Sequence, residues 1–220
     1  QATYKENGKL KTDWMGCAEQ AIKEMDELGV SKCLIMPPPQ GTTANNPYDY
    51  TVLLPVVKKY PARFALVAGG GTLNLMIQQA LQEGKVTDEM KEKFKKKAQE
   101  IINDGAVAFG EMTALHLSFN PTHYFEIAPP DHSLFLLLAD IAAKSGLPID
   151  LHMEAVAKNI ALPAWFKIPP NPKTLNENVK GFEKLLSHNE NAKIVWQHVG
   201  WDNTGHLSLS LVDSLLARHK

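Results

Sequence analysis

The sequence has few cysteines, no long apolar segment and almost no net charge. Its two cysteines, Cys17 and Cys33, are too few for a disulfide framework or a zinc ribbon. No apolar run approaches the roughly 20 residues that cross a bilayer, so we expect no membrane partner. The net charge is −1, and acidic neighbours offset the basic stretch at residues 91–97. A nucleic-acid partner is therefore not expected either.

Several catalytic motifs are also missing. The glycine-rich stretch GGGTLN at residues 69–74 lacks the Lys-Ser/Thr of a phosphate-binding loop and the spacing of a dinucleotide fingerprint. We interpret it as a tight loop after a strand. No GxSxG elbow occurs, and neither cysteine is placed at the carboxyl end of an expected strand. These absences argue against a serine hydrolase and against a thiol nucleophile.

Strands and helices alternate along the chain. The apolar pattern predicts five short strands, each preceded by a helix, at residues 32–36, 63–68, 106–112, 148–154 and 193–199. Parallel neighbours need such crossover connections, so we expect an α/β fold with a parallel sheet. Asp131 is the expected N-cap of the helix at residues 133–144. No linker divides the chain, and residues 1–220 are interpreted as a single domain.

Three side chains that can bind metal ions stand near the ends of consecutive expected strands. They are Glu111, His152 and His198. In parallel α/β folds the active site forms at the carboxyl ends of the strands, so we expect these three to converge in one cavity. Alternation along the last strand would place Trp196 and His198 on the same face.

Four blocks of the sequence are similar to a known family. GAVAFGEM, PPDHSLFLLLADIAAKSGLPIDLHME, NPKTLNENVKGFEKLLSHN and KIVWQHVGWDNTG resemble the amidohydrolase superfamily, specifically the metal-dependent hydrolases of the amidohydrolase-2 type. The resemblance runs from about residue 13 to the end of the sequence and implies a (β/α)8 TIM barrel with parallel strands, of which the five strands would be strands 2 to 6. Glu111 then matches the acidic ligand of strand 4, His152 the histidine of strand 5 and His198 the histidine of strand 6.

The resemblance also implies parts that this sequence lacks. The family's H-x-H pair on strand 1 and its aspartate on strand 8 have no counterpart here. We therefore expect a partial barrel, a hydrolase domain incomplete at both ends. Without the strand-8 aspartate, the usual proton shuttle, we expect no appreciable hydrolase activity from these 220 residues by themselves.

The chemistry implied by the resemblance is hydrolysis by a metal-activated water. Glu111, His152 and His198 would be the catalytic metal ligands for one or two divalent ions, zinc first and manganese as the alternative. The bond attacked would be a carbonyl-centred C–N or C–O bond in an amide, ester or lactone. Two alternatives stay open: a non-oxidative decarboxylase of the same superfamily, and a non-catalytic α/β module that binds a small molecule.

Other residues are candidates for touching the substrate or orienting the ligands: His116, His132, Asp202, Asn203 and Trp165. The remaining histidines, His123, His188, His206 and His219, are expected to be peripheral. Long, aromatic-rich loops follow Glu111 and His152, which favours a partly apolar small-molecule substrate, although the aromatic residues could equally pack the loops together. A cytoplasmic location is expected. An exported form stays open because the sequence does not begin with methionine. A homo-oligomer is also possible.

Overall fold

A computed structural model describes residues 3–42 and 48–219. Its strands are β1 (Thr3–Glu6), β2 (Lys9–Thr12), β3 (Cys33–Ile35), β4 (Phe64–Gly69), β5 (Ala108–His116), β6 (Glu126–Ile127), β7 (Ile149–Met153), β8 (Ile160–Ala161), β9 (Thr174–Leu175) and β10 (Ile194–Trp196). Its α-helices are α1 (Trp14–Glu27), α2 (Leu54–Lys59), α3 (Leu73–Glu83), α4 (Asp88–Asn103), α5 (Ser133–Ser145), α6 (Val179–His188) and α7 (Leu209–Arg218). Single turns of 3-10 helix occur at Tyr50–Val52 and Ala164–Phe166.

The central sheet contains five parallel strands in the order β3-β4-β5-β7-β10. This confirms the five expected strands, their direction and their order. The short β6 adds an antiparallel partner to the end of β5, and β1–β2 and β8–β9 form separate two-stranded pairs. Among the strands that the structure describes, β3 and β10 each have a single neighbour and do not pair with each other, so the sheet is open and forms no closed barrel.

Helices cover one face of this sheet. The helices α3, α4, α5 and α6 contact one another in turn, as neighbours in a layer do. At the sheet edges, Leu34 of β3 is 58% exposed and Val195 of β10 is 47% exposed, whereas the residues on either side of each pack into the hydrophobic core. Because side chains alternate between the faces of a strand, the face opposite the helices is open at both edges.

The core lies between the central strands and the helix layer. Every residue of β4 is buried, and Phe94, Phe109 and Phe135 are fully buried. A strand buried on both faces has a continuous apolar sequence, which is what Phe64–Gly69 shows. The rigid part of the molecule is therefore the centre of the sheet, where β5 and β7 carry two of the three candidate ligands.

Two helix starts differ from the sequence analysis. The glycine-rich stretch predicts a loop through Leu73 and Asn74, but both residues belong to α3, whose preceding Thr72 makes no side-chain capping bond. Asp131 does not cap α5: the cap is His132, whose Nδ1 accepts from the backbone N–H of Leu134 at 3.4 Å. The Asp131 carboxylate instead forms an ion pair with Lys184 at 2.8 Å.

None of the helices within residues 3–42 and 48–219 combines the length and the hydropathy of a membrane-spanning helix.

Candidate metal centre

Glu111, His152 and His198 converge as expected. Their ligand atoms all lie within 4.8 Å of one another. The Nδ1 atom of His152 donates a hydrogen bond to Glu111 Oε1 at 2.9 Å, and His198 Nε2 lies 3.7 Å from the same oxygen. Two imidazole nitrogens and a carboxylate oxygen at these separations form a group that could hold a metal ion.

A bulge positions Glu111. Phe109 pairs with Ile149 and Met112 pairs with Leu151, so one extra residue of β5 is inserted between these two pairs. Gly110 and Glu111 occupy the bulge, and a Cβ atom on Gly110 would lie 2.6 Å from Asp150 Cβ. Only glycine fits this close approach of β5 and β7. Bulges bend a strand and redirect a side chain, which here brings the Glu111 carboxylate to His152.

His198 is not on the last strand, contrary to the expected alternation. The strand β10 ends at Trp196, and His198 lies in the following turn with φ +56°. Trp196 packs against Phe182 of the helix layer with ring centroids 4.9 Å apart, whereas His198 lies 4.9 Å from the ring of His152. The left-handed residue therefore redirects the chain, and the two side chains contact different parts of the molecule.

The group is closed on one side and open on the other. Glu111 and His152 are mostly buried, whereas the His198 side chain is 58% exposed. Of the three candidate ligands, His198 is therefore the one that solvent and a ligand reach most readily.

Neighbouring charges determine the protonation states of Glu111 and His152, the two buried members of the group. Burial alone would raise the pKa of Glu111, but the hydrogen bond from His152 and the nearby imidazoles hold it below its ordinary 4.5. Burial alone would lower the pKa of His152, but hydrogen bonding to Glu111 and the Glu154 carboxylate raise it to about 9. Both shifts reflect the same contact, because each group stabilises the charged form of the other.

One polar contact and two hydrogen bonds connect this pair to the turn after β10. Glu154 Oε1 lies 3.8 Å from His152 Nε2 and accepts from Asn203 Nδ2 at 2.6 Å. Asn203 Oδ1 in turn accepts from Trp201 Nε1 at 2.7 Å. Glu154 and Asn203 are buried, so these contacts fix both the free side of His152 and the orientation of Trp201.

The three candidate ligands share one pocket of about 500 Å³. Its lining is Pro38, Pro39, Glu111, His116, Phe119, His123, Tyr124, His152, Glu154, His198, Trp201 and Asn203. These residues come from β5, from the end of β7 and from the segments after β3, β5 and β10. A wider groove of about 980 Å³ lies between α6, β10 and α7, and none of the three candidate ligands lines it.

His116 presents an unprotonated nitrogen in this pocket. Its Nδ1 lies 3.2 Å from the carbonyl oxygen of Tyr124, which can only accept, so Nδ1 carries the proton. Burial lowers the pKa of His116 to about 4, so the ring is neutral near pH 7 and Nε2 is a hydrogen-bond acceptor. The ring lies 4.8 Å from that of His152.

The other residues expected to contact substrate or orient ligands fall into two groups. His116 and Asn203 line the pocket, whereas His132, Asp202 and Trp165 do not. His132 caps α5. Asp202 Oδ1 accepts from the backbone N–H groups of residues 204 to 206 and shapes the turn after β10. Trp165 is 68% exposed in the loop after β7.

The sequence patterns do not indicate every residue of the pocket. His123, expected to be peripheral, lines it, with its ring 4.7 Å from that of His116. Glu154 and Trp201 also line it without having been named as site residues. Glu154 lies two positions after His152, so strand alternation predicts it on the same face, although β7 itself ends at Met153. His123 and Trp201 reach the pocket through loop conformations that no periodicity indicates.

Comparisons with family models, with curated proteins and with solved structures give no match to this chain. The geometry of the site is therefore the basis on which we infer a function.

Proposed function

We propose that the protein is a metal-dependent hydrolase acting on a carbonyl-centred C–N or C–O bond in an amide, ester or lactone. The observation that carries the proposal is the convergence of Glu111, His152 and His198 in a pocket at the carboxyl end of a parallel sheet. Sites at this end of parallel strands are the rule in α/β enzymes. We further propose that the five strands correspond to strands 2 to 6 of an amidohydrolase-type (β/α)8 barrel, as the sequence resemblance implies.

The donor set fits a catalytic divalent cation. Catalytic zinc sites use three protein ligands of the imidazole and carboxylate types and leave one position open. Glu111, His152 and His198 supply three donors of these types, and the 58% exposure of His198 keeps the group accessible to water and substrate. Zinc is the first choice and manganese the second. When bound, such a cation supplies a Lewis acid and lowers the pKa of a coordinated water towards about 7.

The residues of the pocket orient the bound molecule and exclude solvent from it. In the reaction the water oxygen bonds to the carbonyl carbon, the C–N or C–O bond breaks, and a proton from the water goes to the leaving group. Glu154, fixed by Asn203, can accept a hydrogen bond from a molecule in the pocket and so orient it. The neutral His116 offers Nε2 as a second acceptor. The apolar side chains of the pocket exclude bulk water, which strengthens each of these polar contacts.

Non-oxidative decarboxylation is the second candidate, and one observation favours it. The His198 side chain is 58% exposed, against 12% for His152, so its imidazole is accessible for a hydrogen bond to a substrate. No lysine or arginine is among the described pocket residues, so the carboxylate of a decarboxylase substrate would depend on the bound metal ion and on His152 for a partner of opposite charge.

Metal binding and turnover together test the proposal. We expect zinc titration by calorimetry to show one or two sites and Glu111→Gln or His152→Ala to weaken binding by at least tenfold. His198→Asn is the third variant, because asparagine tolerates the left-handed backbone at this position. His188→Ala is the matched control, since His188 pairs with Asp140 on the helix layer outside the pocket.

Turnover measurements distinguish a hydrolase, a decarboxylase and a non-catalytic binding module. A panel of amides, esters and lactones should be hydrolysed by the protein at its full natural length, and the three ligand variants should lower kcat/KM by orders of magnitude. Carbon dioxide release from carboxylate substrates with a single bound metal would favour the decarboxylase. Absence of bound metal together with absence of turnover would favour a binding module.

A further inference from the structure

Trp201 is exposed and yet fixed in place. Its side chain is 66% exposed at the edge of the pocket. The indole Nε1 donates to Asn203 Oδ1 at 2.7 Å, and the Trp201 backbone N–H donates to the carbonyl of His198 at 2.8 Å. Since Asn203 is buried and bonded to Glu154, the indole has a set orientation. A large apolar surface held in place beside a pocket is typical of a contact with ligand.

Other apolar side chains of the pocket form, together with Trp201, an apolar wall. Phe119 and Tyr124 line the same pocket from the loop after β5, and Pro38 and Pro39 line it from the segment after β3. Phe119 also packs against Phe166 with ring centroids 5.2 Å apart, which fixes its position. The wall is therefore built from three separate segments. Rigid aromatic and proline surfaces of this kind favour a flat apolar group, because aromatic rings stack in offset or edge-to-face arrangements.

The charges of the pocket exclude one class of ligand. Its lining contains the carboxylates Glu111 and Glu154, and His152 is already in contact with both of them, at 2.9 Å and 3.8 Å. No lysine or arginine is among the lining residues that the structure describes. A cation held by Glu111, His152 and His198 would be offset by these carboxylates. An anionic substituent on the apolar wall would be desolvated there without a partner, which is costly.

We propose that the substrate is uncharged and that it carries a flat aromatic group next to the amide, ester or lactone group to be hydrolysed. The aromatic group stacks on Trp201. This inference rests on the proposed function, because it takes the pocket of Glu111, His152 and His198 to be the substrate site.

Three small probes test the inference by binding alone. Benzamide is aromatic and neutral, benzoate has the same ring with a negative charge, and cyclohexanecarboxamide is neutral and saturated. Dissociation constants are measured by NMR titration in the presence of EDTA, so that metal coordination contributes nothing. We expect benzamide to bind about tenfold more tightly than either of the other two.

Two tryptophan variants provide the matched comparison. Trp201→Ala should weaken benzamide binding by about tenfold, in the range of one lost stacking contact. Trp165→Ala should leave it unchanged, because Trp165 is as exposed as Trp201 but does not line the pocket. Trp201→Phe should restore most of the affinity. Equal binding of all three probes, or equal effects of Trp201→Ala and Trp165→Ala, would overturn the inference.

A kinetic comparison separates this inference from the proposed function. The protein at its full natural length is assayed with methyl benzoate and with methyl cyclohexanecarboxylate. Zinc-dependent hydrolysis of both esters at equal kcat/KM would support the hydrolase and overturn the aromatic preference. Trp201-dependent binding of benzamide with no hydrolysis and no bound metal would support the aromatic pocket and overturn the hydrolase.

Discussion

Two neighbouring histidines show how contacts with carboxylates decide the protonation of an imidazole. His116 and His152 are both largely enclosed, and their rings lie 4.8 Å apart. Burial lowers the pKa of His116 to about 4, whereas two carboxylates raise that of His152 to about 9. The difference comes from Glu111 and Glu154, which touch His152 and not His116. One ring therefore serves as a neutral acceptor and the other as a cation or, once deprotonated, as a ligand.

Glu126 gives a pH-dependent prediction. The residue is 3% exposed, and burial raises the pKa of its carboxyl group from 4.5 to about 7 despite a hydrogen bond from Asn74 Nδ2 at 3.1 Å. The folded protein therefore binds more protons than the unfolded chain between these two values, so the free energy of unfolding falls as pH rises through this window. The full loss, reached above pH 7, is about 3 kcal/mol at about 1.4 kcal/mol per pKa unit.

The variant Glu126→Gln isolates this effect, because glutamine keeps the shape and cannot ionise. Urea unfolding of both proteins at pH 5 and pH 8 measures it. We expect the variant to gain stability relative to the native chain on going from pH 5 to pH 8. His152 titrates in an overlapping range in both proteins, so its contribution cancels in the difference. A difference between the two proteins that does not change with pH would contradict the prediction.

At the scale of elements, apolar periodicity was enough to predict the five strands and their order. Gly29, Gly105 and Gly146 follow helices with positive φ, so helix ends could also be read from the sequence. The start of α3 could not, because it follows three glycines and has no capping side chain. For the site, the residue types of Glu111, His152 and His198 and their places near consecutive expected strand ends were enough to predict their convergence, although Glu111 lies inside β5 and His198 lies beyond the end of β10. The bulge at Glu111 and the left-handed turn at His198 were not predictable, because close packing of particular segments produces them.

The capping box of α4 gives a prediction at this scale. Thr87 Oγ1 accepts from the backbone N–H of Met90 at 3.2 Å, and Asp88 and Glu89 in the first turn interact favourably with the helix dipole. Thr87→Ala leaves that N–H without its partner and should lower the free energy of unfolding by about 1 kcal/mol. Chemical denaturation measures the change. Thr87→Ser retains the hydroxyl group and should lose clearly less than Thr87→Ala. Equal losses in the two variants would show that the cap is not the cause.

For the whole molecule, the sheet is rigid at its centre and open at its edges. The strand β4 is buried throughout, whereas β3 and β10 have three residues each and a single neighbour. Backbone amides at such edges open more easily than those in the core. The two edges differ in one respect: the turn after β10 carries His198, and β3 carries none of the three candidate ligands. A metal ion bound by the three side chains would connect the β10 edge to β5 and β7.

Hydrogen exchange with and without zinc should reveal this asymmetry. Without zinc, amides of β3 and β10 should exchange faster than those of β4 and β5. At free zinc about 100 times its dissociation constant, openings that break the site should cost about 2.7 kcal/mol more, which slows exchange by up to about 100-fold. We expect this protection at residues 193–199 and not at β3, which serves as the internal control. His198→Asn should abolish it while leaving the protection of β4 unchanged. Equal slowing at both edges would mean that zinc acts elsewhere, because only the β10 edge can be held through His198.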